Sequence, residues 1–204
     1  EFSVGMLGKF VAVSRGIPMI HTYHTMYENY VHYIAGGHLI TPKMAGDISA
    51  AFCNAASHVV VPTEKTRQLL LRYGVTKPIH TIPTGIDTEN FRKGRFSPEE
   101  IADLRHTLGL EAETPVVVYV GRLAKEKNLD MVFRAMPTLL QQLPDMKFLI
   151  VGWGPEREHL EELSAQLGID ASVIFTGGGA WEEIGRYYQL SDVFYSAAVS
   201  ETQG

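Results

Sequence analysis

Five consecutive apolar residues, Val116-Val117-Val118-Tyr119-Val120, stand between Pro115 and Gly121. An unbroken run of β-branched and aromatic residues, with no position left to face water, describes a strand covered on both sides. Strands of that kind belong to parallel sheets flanked by helices. The residues that follow keep the same rhythm. Helical patterns over Glu99 to Leu108, Leu129 to Leu143, Glu156 to Leu167 and Trp181 to Leu190 alternate with strand patterns over Lys147 to Val151, Val173 to Phe175 and Val193 to Tyr195. Strands alternating with helices of about a dozen residues imply right-handed crossovers and a doubly wound α/β sheet.

The earlier residues show a shorter version of the pattern. A helix is expected over Val4 to Val13, stopped by Arg15-Gly16, then a strand over Pro18 to Thr22 leading to His24. Thr41-Pro42 starts a helix to about Ala56, with Thr as cap and Pro in the first turn. His58 to Val61 is a strand. Thr63 caps a helix that puts Leu69 and Tyr73 on one face and closes at Gly74, and Ile79 to Ile82 is the next strand. Pro83-Thr84-Gly85-Ile86-Asp87 then interrupts the rhythm with turn-formers. We therefore expect a partial Rossmann-like domain over 1–82, a linker over 83–98 and a second, incomplete Rossmann-like domain over 99–204. Charge changes sign near the same place: ten Lys/Arg against six Asp/Glu up to Pro98, and eight against seventeen after it.

Cys53 is the single cysteine, so no intrachain disulfide forms, which fits a reducing compartment. Its neighbours Ala50, Ala51 and Phe52 mark it as a small buried hydrophobe rather than a reactive thiol. No apolar run approaches the roughly 20 residues that span a bilayer. The basic residues form no dense stripe with exposed aromatics, which argues against nucleic acid as partner. A weakly basic first half is compatible with peripheral contact with an anionic membrane surface. A cytoplasmic protein, peripheral at the inner face of the membrane, is the expectation. Both ends read as cut, because the chain opens without Met in a helical segment and stops after a strand-to-loop transition.

Three strand ends carry chemistry. Gly121 ends the first strand of the second domain, and Arg122 and Lys127 follow it into the region where open α/β sheets hold ligands. Two cations there suit a diphosphate. A solvated charged loop fits the alternation of Arg122, Lys125 and Lys127 with Glu126 equally well. Asn128 is placed to cap the next helix. Gly152-Trp153-Gly154-Pro155-Glu156 lacks the third glycine of a dinucleotide fingerprint and sets acidic residues at the helix start, so a tight turn lining a nucleotide pocket is the better reading. Thr176-Gly177-Gly178-Gly179 leaves bare backbone that a flat ligand such as a base could approach, or is a plain flexible loop. There is no Walker-type glycine run. His21 and His24 fall on opposite faces of an extended strand and cannot share a metal. With no Asp-x-Asp pair and no Cys/His cluster of ligand spacing, no protein-held metal is expected. Ser200 is placed to cap a further helix, whose N–H groups would form a second anion site.

Five segments in this order resemble the retaining glycosyltransferases of family 4, which have the two-domain GT-B fold. They are His21-Thr22-Tyr23-His24-Thr25, Pro83-Thr84-Gly85-Ile86-Asp87, Gly121-Arg122-Leu123 with Glu126-Lys127-Asn128, Val151-Gly152-Trp153-Gly154-Pro155, and Ser200-Glu201-Thr202-Gln203-Gly204. The first two are most similar to bacterial glycolipid synthases that put glucose or a similar sugar on diacylglycerol. The resemblance implies a hexosyltransferase using a nucleotide-sugar donor, UDP-sugar favoured, with no further cofactor, and a lipid or other hydroxyl acceptor. It implies that Arg122 and Lys127 hold the donor diphosphate and that Glu201 opens the family's Glu-x₇-Glu motif, near the transferred sugar and diphosphate. His24 matches a cleft histidine near sugar and acceptor. Gly121, Gly152, Gly154, Thr176, Gly177, Thr202, Gln203 and Gly204 complete the donor-side set. The family's first strands would precede Glu1, so the isolated chain is expected not to turn over. Competing readings are a nucleotide-sugar-binding module without catalysis, the same chemistry on a polysaccharide or other soluble acceptor, and a dinucleotide-dependent oxidoreductase. The last needs an acidic residue where Phe175-Thr176-Gly177 stands.

Overall fold

The computed structural model describes residues 2–31 and 41–203. The chain divides into two compact units, Glu1–Gly85 with Ser200–Gly204, and Ile86–Val199.

In the first unit, three parallel strands β1 (Ile20–Thr22), β2 (His58–Val61) and β3 (Ile79–Thr81) lie in the order β1-β2-β3. Helices α1 (Phe2–Arg15), α2 (Pro42–Asn54) and α3 (Glu64–Arg72) alternate with them. Both threonine caps form as their sequence requires. The Thr41 hydroxyl accepts from Met44 N at 3.2 Å and that of Thr63 from Thr66 N at 3.3 Å, satisfying amides that the first helical turn leaves unpaired. Gly74 closes α3 at φ +87°, where a side chain would be strained. The core gathers Tyr23, Cys53, Val59, Val61 and Leu70. Burial pushes the Cys53 thiol up to about 11, in keeping with a packing role. Helix α1 carries its apolar residues outward, with Val4, Phe10 and Val13 about 70% exposed. With β1 and α2 it walls an open apolar groove of about 840 Å3 that includes Phe10, Val13, Ile48 and Phe52.

The second unit has β4 (Val116–Val120), β5 (Lys147–Val151), β6 (Val173–Gly177) and β7 (Val193–Phe194), all parallel, in the order β6-β5-β4-β7. Its helices are α4 (Pro98–Thr107), α5 (Leu129–Leu140), α6 (Arg157–Gln166) and α7 (Ile184–Leu190). The period of two along β5 separates its side chains into two cores. Phe148 and Ile150 pack with Phe133, Met136 and Leu160, whereas Leu149 and Val151 pack with Val116, Val118 and Leu190. Both faces are therefore covered, as the unbroken apolar run demands. Ser97 and Glu100 form a reciprocal capping box at α4. Of residues 83–98, Phe96 is buried and Phe91 meets the rings of Trp181 and Tyr188 within the second unit. The chain reverses direction across the sheet between β4 and β7. That is the topological switch point, whose crevice lies at the carboxyl ends of these strands.

Some boundaries differ from the sequence pattern. Helix α5 ends at Leu140 rather than Leu143, and β6 runs on to Gly177 because Gly177 keeps its bond to the neighbouring loop. Trp181 to Glu183 form a 3-10 turn ahead of α7. Asn128 stands at the start of α5 but does not cap it. Its backbone is left-handed at φ 54°, and its amide turns to Met131 Sδ at 3.7 Å.

Candidate functional site

In the second unit the loops after β4, β5 and β6 are tied to one another by main-chain bonds. Gly121 N donates to Val151 O at 2.9 Å, Leu123 N to Trp153 O at 2.9 Å, Glu156 N to Leu123 O at 3.1 Å and Gly152 N to Gly177 O at 2.8 Å. Glycines permit this approach. A Cβ on Gly154 would lie 2.6 Å from both the nitrogen and the carbonyl carbon of Leu123, and one on Gly152 would lie 2.9 Å from the Gly121 carbonyl carbon. No side chain fits there. Leu123 and Ala124 are buried beneath the loop, so the segment is anchored from below, while Arg122 is exposed and Lys127 half-buried.

Glu126 is the residue whose place the sequence left open. Its side chain is 3% exposed and forms a close ion pair with the Arg122 guanidinium, which is 55% exposed. The alternation of charges is therefore not a solvated turn. A carboxylate is removed from water and held against the Arg122 guanidinium, an arrangement that persists only when paired. Tyr119 adds to the same loop by donating its hydroxyl to Arg122 O at 2.8 Å. The Glu126 main chain acts too, since its carbonyl accepts from Val199 N at 3.0 Å. Glu126 thereby joins the segment after β4 to the segment after β7, across the switch point. With part of the Arg122 charge offset by Glu126, an incoming anion would meet a cation already fixed in direction.

The remaining predicted residues of this unit are placed by β6. The Thr176 hydroxyl donates to Gly177 O at 2.9 Å rather than pointing into free space. The bare backbone of Gly177 and Gly178 is already covered, because the Trp153 indole lies on it. A Cβ on Gly177 would fall 2.5 Å from indole Cζ2, and one on Gly178 2.5 Å from Cδ1. The glycines there receive a flat ring from within the chain.

The other predicted residues gather in the first unit, at the carboxyl ends of its strands. The Thr202 carbonyl accepts from Thr63 Oγ1 at 2.7 Å and Thr66 Oγ1 at 3.2 Å, and Thr202 Oγ1 donates to His24 O at 3.0 Å. Gln203 pairs with the Thr84 main chain in both directions, at 2.9 and 3.3 Å. Lys65 Nζ donates to Glu201 O at 3.2 Å, and Ser200 Oγ accepts from Asn29 Nδ2 at 3.0 Å. Ser200 therefore serves a side-chain contact and opens no helix within the described residues. Strand β1 ends at Thr22, so His24 lies beyond the extended segment on which its face was reasoned, while His21 packs edge-on against Phe52 at 4.7 Å. Gly204 lies outside the described residues.

Among the described residues, one group of possible metal ligands comes together through the fold and not through spacing. Asp130 at the start of α5, with Glu156 and His159 at the start of α6, brings three ligand atoms within 4.8 Å of one another. His159 Nε2 meets the Asp130 carboxylate oxygens at 3.0 and 3.1 Å, so these two already form a pair.

Among the described residues no helix is long and apolar enough to cross a membrane. Residues 100–204 match the family model "Glycosyl transferases group 1", and residues 2–90 match "Glycosyltransferase Family 4". Over 204 residues, all of this chain and 46% of the relative, the sequence is 40% identical to the alpha-monoglucosyldiacylglycerol synthase of Streptococcus pneumoniae. A sucrose-phosphate synthase from Thermosynechococcus elongatus superposes with a TM-score of 0.78 at 24% identity, covering 98% of this chain and 49% of that one. The structure described as "Trehalose-6-phosphate from E. coli bound with UDP-2-fluoro glucose" gives a TM-score of 0.67 at 15% identity, over 100% of this chain and 58% of that one. These likenesses establish the GT-B fold. The chain spans about half the length of the curated relatives it matches.

Proposed function

Because this chain belongs to the group 1 and family 4 glycosyltransferases, we propose that the whole protein moves a glucosyl group from a nucleotide diphosphate sugar, UDP-glucose favoured, to the hydroxyl of a diacylglycerol-type lipid. The observation that carries the donor half is the Arg122 guanidinium fixed by buried Glu126 at the carboxyl end of β4, beside the switch point. Lys127 shares that loop. Two cations on one rigid loop neutralise a leaving diphosphate better as its charge grows, which lowers the barrier to breaking the glycosidic bond. The glucosyl group and the lipid rest on the likeness to the pneumococcal alpha-monoglucosyldiacylglycerol synthase. The donor nucleotide is read from the UDP-sugar held by a protein of the same fold.

The chemistry we assign is a front-face displacement. The bond from the anomeric carbon to the phosphate oxygen breaks, the bond to the acceptor oxygen forms on the same face, and the acceptor's proton passes to the leaving phosphate. The products are the α-glucosyl lipid and the nucleoside diphosphate, and the step needs no protein nucleophile. His24 is assigned to the sugar and acceptor, Glu201 to the transferred sugar and the diphosphate, and Gly121, Gly152, Gly154, Thr176, Gly177, Thr202 and Gln203 to the donor. The apolar groove between α1, β1 and α2 in the first unit offers the kind of surface that takes acyl chains or a membrane face, which supports peripheral membrane contact.

A donor panel with full-length protein, diacylglycerol vesicles and soluble sugars tests this reading. Transfer from UDP-glucose to the vesicles, with little to soluble sugars, is expected. Equal transfer to soluble sugars removes the lipid assignment, and donor binding without transfer to any acceptor favours a binding module.

A further inference from the structure

The unusual residue among the strand-end turns is Trp153. It is 64% exposed, yet it is not a loose surface side chain. Its main chain is pinned from both neighbours, since its carbonyl accepts from Leu123 N at 2.9 Å and the preceding Gly152 N donates to Gly177 O at 2.8 Å. The indole is seated on the Gly177–Gly178 backbone, where a Cβ at either position would come within 2.5 Å of ring atoms. Gly177 holds φ +76°, a conformation that also favours glycine. Over one face of the indole lies the Arg157 guanidinium, 5.6 Å from the indole centroid and 4.9 Å from that of Phe175, and Arg157 Nε is itself held by Glu161 at 2.7 Å. A large aromatic ring is thus fixed in place while most of it is left to water, an arrangement that burial alone would not produce.

Its position explains the exposure. Trp153 follows β5, between the Arg122 loop at the end of β4 and Gly177 at the end of β6. Adjacent strands lie about 4.8 Å apart, so two spacings, roughly 10 Å, separate the diphosphate loop from the end of β6. A nucleoside diphosphate with its phosphates at Arg122 needs a flat surface for its base at some such remove. Resting on the donor reading above, we infer that the exposed indole of Trp153 is the stacking platform for the base of the donor nucleotide. Stacking uses the π face that every base has, so Trp153 contributes affinity without choosing between uracil and guanine. The seat on Gly177 and Gly178 keeps the ring oriented before the ligand arrives, which limits the ordering cost of binding.

The chain has two tryptophans. A Trp181→Phe background, which keeps an aromatic ring against Phe91, leaves Trp153 as the sole tryptophan. UDP and inorganic pyrophosphate are titrated into that protein and followed in parallel by emission and by calorimetry. UDP should quench Trp153 saturably, with the dissociation constant calorimetry gives, while pyrophosphate binds without quenching. Trp153→Ala should weaken UDP about tenfold and leave pyrophosphate unchanged, with Trp153→Phe close to the parent. Calorimetric binding of UDP with no change in emission would overturn the platform and leave the donor reading standing. Absence of UDP binding to the parent would overturn both. The emission experiment keeps Trp153 intact, so it decides the matter even where Trp153→Ala fails to fold.

Discussion

Gly154→Ala puts the interlocking of the strand-end loops to a quantitative test. The added methyl would sit 2.6 Å from the Leu123 nitrogen and carbonyl carbon, nearly an ångström inside ordinary contact. Neither loop can yield alone, because Leu123 N bonds Trp153 O at 2.9 Å and Leu123 O accepts from Glu156 N at 3.1 Å. Overpacking of this kind costs about 1–3 kcal/mol, and weakening two main-chain bonds adds about 1 kcal/mol each. A total near 3–5 kcal/mol is a large share of the stability of a single domain, typically about 5–15 kcal/mol. Gly168→Ala is the control. It also occupies a turn, at φ +65°, but nothing lies within 4 Å of its Cβ, so only backbone strain remains, about 1–2 kcal/mol. Urea unfolding followed by tryptophan emission reads the right unit, since Trp153 and Trp181 both lie within Ile86–Val199. The reasoning fails if Gly154→Ala is no less stable than Gly168→Ala.

Three further outcomes are expected. In the full-length enzyme, Lys127→Ala should lower transfer by more than about tenfold through loss of a desolvated charge-assisted contact, and near-normal turnover would remove the clamp. Ser97→Ala deletes the capping box of α4 and should cost about 1 kcal/mol in urea unfolding, whereas no change would show that the box contributes nothing. Cys53 has a folded pKa raised to about 11 by burial, from an ordinary value of 9.0. The folded state holds its proton more tightly, so stability from this group is full below pH 9 and falls as pH rises from there through about 11. Iodoacetamide should accordingly label Cys53 slowly in the native chain at pH 8 and rapidly in urea, and equal rates would contradict the burial.

The regular elements were legible because their causes are local. An apolar run such as Val116–Val120 admits no other placement, and Thr41, Thr63 and Gly74 act on amides and carbonyls within a turn of themselves. Glu126 was not legible. Between Lys125 and Lys127 it reads as solvated, and only the folding of the loop over Leu123 and Ala124 takes it out of water against Arg122. Asn128 fails as a cap for a related reason, since the loop forces it to a left-handed φ from which its side chain meets Met131. The bare backbone of Gly177 and Gly178 left a flat ligand and a plain loop both open in the sequence, and no spacing showed that the Trp153 ring would lie against it. The ties of Thr202 and Gln203 to Thr63, His24 and Thr84 join residues far apart in the chain, so no spacing rule announces them.

The diphosphate clamp is tested most directly by calorimetric titration of UDP and uridine into the chain and into its Arg122→Ala variant. UDP should bind the parent at least about tenfold more tightly than uridine, as expected for charge-assisted contacts to the phosphates. Arg122→Ala should bring UDP close to the affinity of uridine. Equal binding of the two ligands by the parent, or undiminished UDP binding by the variant, would contradict the account.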